Sequence, residues 1–170
     1  MPISYSTLRA AAASPEIMVA RSITEAKEFG YKTAFLCHSH NDRQLVEGFV
    51  NYARKKGWRI YIDWMDTTLP ATPNRETASK IKSKIKSSDF FIFLATFYSM
   101  NSRWCPWEIG FADGTKPIDK IFIVPTVDDD GDYHGNEYLQ LYRRVDVATD
   151  GDLAAWYPGR TQDGIEVSRL

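Results

Sequence analysis

The chain has 170 residues, 44% of them hydrophobic and 25% charged, with a formal net charge of −1 and two cysteines. That size supports one domain with a full core, and the near-neutral charge leaves no electrostatic footprint for nucleic acid or an anionic membrane. No run approaches the ~18 apolar residues that a membrane-spanning helix needs. The first residues lack the basic start and long apolar stretch of a signal peptide. Cys37 and Cys105 stand in no CxxC or zinc spacing, so free thiols and a cytoplasmic setting are expected.

Residues 6–29 read as helical. Ala10 to Ala13 favour helix, Pro15 is placed to open a second helix after Ser14, and Gly30 closes the stretch. Residues 1–30 are therefore expected as an N-terminal helical extension, and 31–170 as the main domain. "KTAFLCHS" (32–39) is a short apolar run, expected as a buried strand. In 41–57, Leu45, Val46, Phe49, Val50 and Ala53 share one helical face, and Gly57 ends it. "WRIYID" (58–63) is a second strand, and 66–74 a loop with two prolines. Asn74 can cap a helix over 75–87, whose lysines at 80, 82, 84 and 86 read as a solvated face.

"DFFIFLATF" (89–97) is apolar on both faces, as a central parallel strand should be. A helix is expected over "SRWCPWEIGFADG" (102–114), a fourth strand over 120–127, a fifth, edge strand over 142–147, and a short last helix over 150–158. Strands alternating with helices define an α/β domain. Five parallel strands suggest the flavodoxin-like order 2-1-3-4-5, flanked by helices, with a ligand crevice at the carboxyl ends of the first and third strands. The loops "HSHND" (38–42) and "TFYSMN" (96–101) meet there.

Glu108 dominates the residues at that crevice. Pro106 belongs in a first helical turn, so Glu108 falls near a helix N-terminus, four residues beyond Trp104 and on the same face. The helix dipole favours its charge, whereas aromatic walls from Trp104, Trp107 or Tyr98 would desolvate it and raise its pKa. Capping is the competing role for Glu108, and core packing for Trp104. His38 and His40 form H-x-H without a further ligand set nearby, which argues against a metal. Ser39 with Asp42 resembles a capping box. Asp63 ends the second strand, placed either to reach a ligand hydroxyl or to turn the chain. Cys37 is expected in the core and Cys105 nearer the surface. No GxGxxG or P-loop pattern occurs, and the acidic stretch 128–137 fails the EF-hand spacing.

Taken in order, these segments resemble a bacterial TIR (Toll/interleukin-receptor) domain. "KTAFLCHSHND" resembles the family's opening strand and Ser…Asp loop, "YIDW" the end of its second strand, and "TTLPATPN" its long variable loop. "KIKSSDFFIFLATFYSMNSRWCPWEIGFA" resembles the stretch that ends in its W-x-x-x-E motif. The resemblance covers 31–127 well and the remainder loosely, with 1–30 outside it. Thr96 stands where the family often has Ser, and His40 where it often has a small or basic residue. The resemblance implies that Glu108 is the glutamate essential for cleaving NAD+ between nicotinamide and ribose. Trp104, Tyr98, His38, Ser39, Asp63 and Ser102 are then the candidate substrate-binding residues. NAD+ enters as substrate rather than as a resident cofactor. The resemblance further implies self-association through TIR–TIR contacts and a cyclic ADP-ribose isomer or ADP-ribose adduct as second messenger. That messenger would switch on a separate effector, as in Thoeris-like antiphage sensing. Two alternatives stand beside it: a non-catalytic TIR scaffold, and an N-glycoside enzyme of the nucleoside deoxyribosyltransferase kind.

Overall fold

The computed structural model describes residues 1–15, 19–64 and 74–170. The strand Phe90–Ala95 (β4) is buried at every position. Its alternate side chains enter two separate cores. Phe90, Ile92 and Leu94 join Ala34, Leu36, Phe122 and Val124 on one face. Phe91, Phe93 and Ala95 join Phe35, Cys37, Ile121 and Ile123 on the other. A sheet apolar on both faces must be covered on both, and the helices divide accordingly.

In chain order the elements are β1 (Ile3–Ser4), α1 (Tyr5–Ala12), α2 (Ile23–Glu28), β2 (Lys32–Cys37), α3 (Arg43–Lys55), β3 (Ile60–Asp63), α4 (Arg75–Ser87), β4, α5 (Phe97–Met100), α6 (Cys105–Asp113), β5 (Ile121–Val127), β6 (Tyr133–His134), β7 (Arg143–Val147), β8 (Leu153–Trp156) and β9 (Ile165–Glu166). Strands run in the order β3-β2-β4-β5-β7-β8-β9, with β1 and β6 paired to β5. The five expected strands are all present, parallel and in the expected order. The fold is flavodoxin-like α/β.

Three local expectations are corrected. Residues 150–158 form no helix: Leu153–Trp156 is a strand antiparallel to β7, so β7 is internal rather than an edge. The signal was Asp150–Gly151, where Gly151 has φ +88° and turns the chain back on itself. Burial of Leu153, Ala154 and Ala155 then overrides the helix propensity of alanine. The N-terminal helices are Tyr5–Ala12 and Ile23–Glu28, so no helix opens at Pro15 and continues to 29. The stretch 102–114 begins as a loop and becomes helical only at Cys105. Residues 16–18 and the proline-rich loop, apart from Asn74, lie outside the described residues. Asn74 caps α4, accepting from the Thr77 amide at 2.8 Å.

The first twelve residues are built into this core. Ile3 pairs with Thr126 of β5 and is 1% exposed. Helix α1 lies against α3, where Leu8 is fully buried and Asn51 donates to the carbonyls of Ala11 (3.2 Å) and Ser14 (3.3 Å). Those bonds satisfy carbonyls that the end of a helix leaves without partners. The helices approach this closely because position 48 is glycine: a Cβ there would lie 1.9 Å from the Leu8 carbonyl oxygen. Gly48→Ala is expected to push α1 off α3 and destabilise the fold by about 3 kcal/mol, read as a fall in midpoint on urea denaturation.

Candidate active site

The site lies at the carboxyl ends of β2 and β4, where α6 begins. Trp104 supplies no side-chain cap to α6. Ser102 does so from two residues upstream, its hydroxyl accepting from the amides of Trp104 (3.1 Å) and Cys105 (3.3 Å). Pro106 sits in the first turn, where a missing donor costs nothing. Glu108 follows in the same turn, its amide bonded to the Trp104 carbonyl at 2.9 Å. The helix start is thus fixed before any ligand arrives.

Two effects oppose one another at the Glu108 carboxylate. The helix N-terminus favours its charge, and burial disfavours it. Burial wins. The side chain is 5% exposed, and desolvation pushes its pKa from the usual 4.5 up to about 7, against a smaller lowering by the neighbouring Cys37 thiol. Cys37 itself is fully buried, and its thiol is pushed well above the usual range by the same desolvation. It donates weakly to the Cys105 carbonyl at 3.9 Å. Cys105 is 1% exposed, which corrects the expectation of a surface thiol. Both cysteines are free.

Trp104 is half-buried at one end of an aromatic run along α6. It meets Trp107 edge-on at 5.3 Å, and Trp107 stacks on Phe111 at 6.2 Å. Lys82 lies over the rings of both Trp107 and Phe111, so the lysine face of α4 also covers α6. Tyr98, on α5, is 49% exposed and packs edge-on against Phe97 at 5.5 Å. Its ring is therefore open to a ligand, whereas Trp104 is partly committed to packing.

On the β2 side, His38 has its Nδ1 at 2.9 Å from the Leu36 carbonyl. A carbonyl can only accept, so Nδ1 carries the proton and Nε2 of the neutral ring is left as an acceptor. Burial lowers the His38 pKa, which keeps the ring neutral near pH 7. Ser39 caps the 3-10 turn His40–Asp42, accepting from the Asn41 amide at 3.3 Å. Asp63 pairs with Lys84 of α4 at 3.2 Å. It aligns with Phe35, two residues short of Cys37, so it stands back from the Glu108 carboxylate along the sheet. Ser102, Trp104 and Glu108 thus stand at the start of α6, against which the end of β2 packs through Cys37, with His38 next in the chain; Asp63 has a partner of its own.

One feature of this crevice escaped the sequence reading. Thr96 Oγ donates to Asp42 Oδ2 at 2.6 Å, with both residues buried, and Thr96 and Ser99 close a capping box on α5. This clamp ties the loop after β2 to the loop after β4. Asp42 Oδ1 has no partner among the described residues, and burial raises the Asp42 pKa. Beside it, the Tyr5 hydroxyl accepts from the Phe97 amide at 2.9 Å, so α1 also props this loop. Among the described residues no group of three or more His, Cys, Asp or Glu is placed to hold a metal. A cavity of about 450 Å³ lies elsewhere, lined in part by Tyr133, Tyr142, Arg144 and Asp146, and contains none of the candidate residues.

The flavodoxin-like sheet carries one desolvated glutamate at the start of α6, the second helix after its central strand. Residues 34–156 match the TIR domain family, and the chain belongs to it. It is similar to a protein of Bacillus cereus (strain MSX-D12) named "Probable 3' cyclic ADP-D-ribose synthase ThsB'", with 32% identity over 155 residues, covering 86% of this chain and 79% of that protein.

The raised pKa of Glu108 makes a stability prediction. Folded Glu108 titrates near 7 and an unfolded glutamate near 4.5, so between those values the folded chain binds more protons. Stability therefore falls as pH rises through this window, by about 3 kcal/mol in all. Glu108→Gln has no charge to bury. It is expected to be more stable than the parent at pH 8 and to lose most of that advantage at pH 5, as read by urea denaturation at the two values.

Proposed function

We propose that this chain is an NAD+-cleaving TIR enzyme that releases nicotinamide and forms a cyclic ADP-ribose-type signal in antiphage defence. The observation that carries this reading is Glu108, a single buried carboxylate in the family's W-x-x-x-E position, in a chain 32% identical to a protein named as a cyclic ADP-ribose synthase.

The chemistry suits one carboxylate. Breaking the bond between nicotinamide and ribose passes through an oxocarbenium-like state, as in glycoside hydrolysis. Ionised Glu108 stabilises the developing positive charge and accepts hydrogen bonds from ribose hydroxyls. Low local polarity strengthens both effects. Nicotinamide departs as a neutral molecule, so no strong general acid is required. Tyr98 and Trp104 border the rings, and the neutral His38 offers Nε2 as an acceptor. Attack on the cation by water gives ADP-ribose. Attack by a nitrogen or hydroxyl of the same molecule gives a cyclic isomer, and a free amine or imidazole gives an adduct. Exclusion of water from a buried site favours the cyclic outcome.

In this reading the product acts on a separate effector protein in the cytoplasm, and copies of the chain assemble through TIR–TIR contacts to complete the site. Among the described residues no helix is long and apolar enough to cross a membrane. Purified protein incubated with NAD+ is expected to release nicotinamide by mass spectrometry, and Glu108→Gln to lower the rate by at least about a hundredfold. NAD+ surviving at high protein concentration and with phage-infected lysate would transfer the reading to a scaffold. Because the ionised carboxylate is the active form, the rate is expected to climb as pH rises through about 7. Turnover per molecule is expected to rise with protein concentration; a flat dilution series would remove self-association from the mechanism.

A further inference from the structure

Tyr5 belongs to the N-terminal segment, yet its side chain reaches the helix that carries Tyr98. The backbone on both sides of it is fixed. Ile3 and Ser4 pair with Thr126 and Val127 of β5, and the Ser4 hydroxyl caps α1 by accepting from the Thr7 amide at 3.1 Å. Leu8, one turn on, is fully buried where α1 meets Gly48 of α3. From this footing the Tyr5 hydroxyl accepts from the Phe97 amide at 2.9 Å, 92 residues away. Its ring stacks on His134 at 6.0 Å, and His134 meets Phe97 edge-on at 6.4 Å. His134 is held in turn by Asp128, whose Oδ2 lies 2.9 Å from its Nε2.

Helix α5 depends on such outside support. It has four residues, too few to be stable alone. Its first amides find no partner within the helix. Thr96 Oγ serves the Ser99 amide at 3.0 Å, and Tyr5 serves that of Phe97. Phe97 and Tyr98 are 54% and 49% exposed, so their own packing restrains the two rings little. The helix touches both the 3-10 turn His40–Asp42 and α6, and so adjoins the loop after β2 and the helix of Glu108. Any rotation of this turn carries the Tyr98 ring with it.

We propose that Tyr5 is a positioning residue: its hydroxyl and, through His134, its ring fix helix α5 so that Tyr98 presents one orientation to a nucleotide in the crevice. That role rests on the reading of the crevice as the NAD+ site. Tyr5 acts through Phe97 and Tyr98 and takes no part in bond breaking. The N-terminal segment then belongs to the binding apparatus as well as to the core.

Tyr5→Phe deletes the hydroxyl and keeps the ring, so the stack on His134 persists. Amide hydrogen exchange followed by NMR reads the brace without NAD+. The Phe97 amide is expected to exchange roughly tenfold faster in Tyr5→Phe, the factor that one ordinary hydrogen bond supplies, while amides of α1 and β4 keep the parent rate. Phe97 exchange at the parent rate would overturn the proposal whatever the enzyme does. So would faster exchange spread equally over α1 and β4, which marks a general loss of stability. In steady-state kinetics, KM for NAD+ is expected to rise roughly fivefold with kcat within about twofold of the parent. An unchanged KM, or a fall in kcat alone, would count against positioning. Tyr98→Ala tests the route: in that background Tyr5→Phe is expected to change KM by less than about twofold, because its effect is already lost. A full further rise there would show that Tyr5 acts elsewhere. If the parent binds NAD+ without cleaving it, the enzymatic reading falls by itself, and Kd from calorimetry replaces KM in the same comparisons.

Discussion

A strand apolar on both faces has only one stable place, the middle of a sheet covered on both sides. Phe90–Ala95 is that strand, and the remaining architecture follows from burying it. Phe90 and Ile92 are covered by α3 with its Phe49, and Phe91 and Phe93 by α4 and α6. Because β2 and β5 flank it, the helices that follow β2 and β4 leave on opposite faces, and the carboxyl ends of those two strands cannot both be covered. The crevice is thus a by-product of the same burial that stabilises the molecule. The site sits at the end of the most deeply buried strand of the sheet.

Glu108 shows what this placement costs. A carboxylate with 5% exposure is tolerated because a helix start and a single thiol offset part of the desolvation. The balance leaves its pKa near neutrality, so small changes in its surroundings alter how much of it is charged. A fully solvated glutamate would be more stable in the fold and less able to stabilise a neighbouring cation. Local stability is traded for electrostatic strength at one position, and the rest of the core carries the deficit.

The five parallel strands were legible because each is a short apolar run bounded by turn residues, and their order follows from the alternation with helices. The W-x-x-x-E spacing made Glu108 legible as well. What escaped depended on contacts distant in sequence. β1 and β6 have two residues each, too short for any periodicity, and exist only because β5 offers them an edge. β8 escaped because Ala154 and Ala155 favour helix locally, and only pairing with β7 after the Asp150–Gly151 turn makes the segment a strand. The desolvation of Glu108 comes from burial over the core beneath α6, and the Asp42–Thr96 bond joins residues 54 apart. Ser102, expected at the ligand, also starts the helix through its hydroxyl, a role its sequence position did not reveal.

The clamp between Asp42 and Thr96 has a mechanical meaning. It fuses the loops after β2 and β4 into one stiff jaw, and Tyr5 braces that jaw from outside by bonding the Phe97 amide. Ligand entry cannot be admitted by parting these two loops unless a buried hydrogen bond breaks first. Any breathing of the crevice belongs to the opposite side, and a ligand entering there would meet a wall whose ordering entropy was spent during folding. The crevice behaves as a vice with one fixed face.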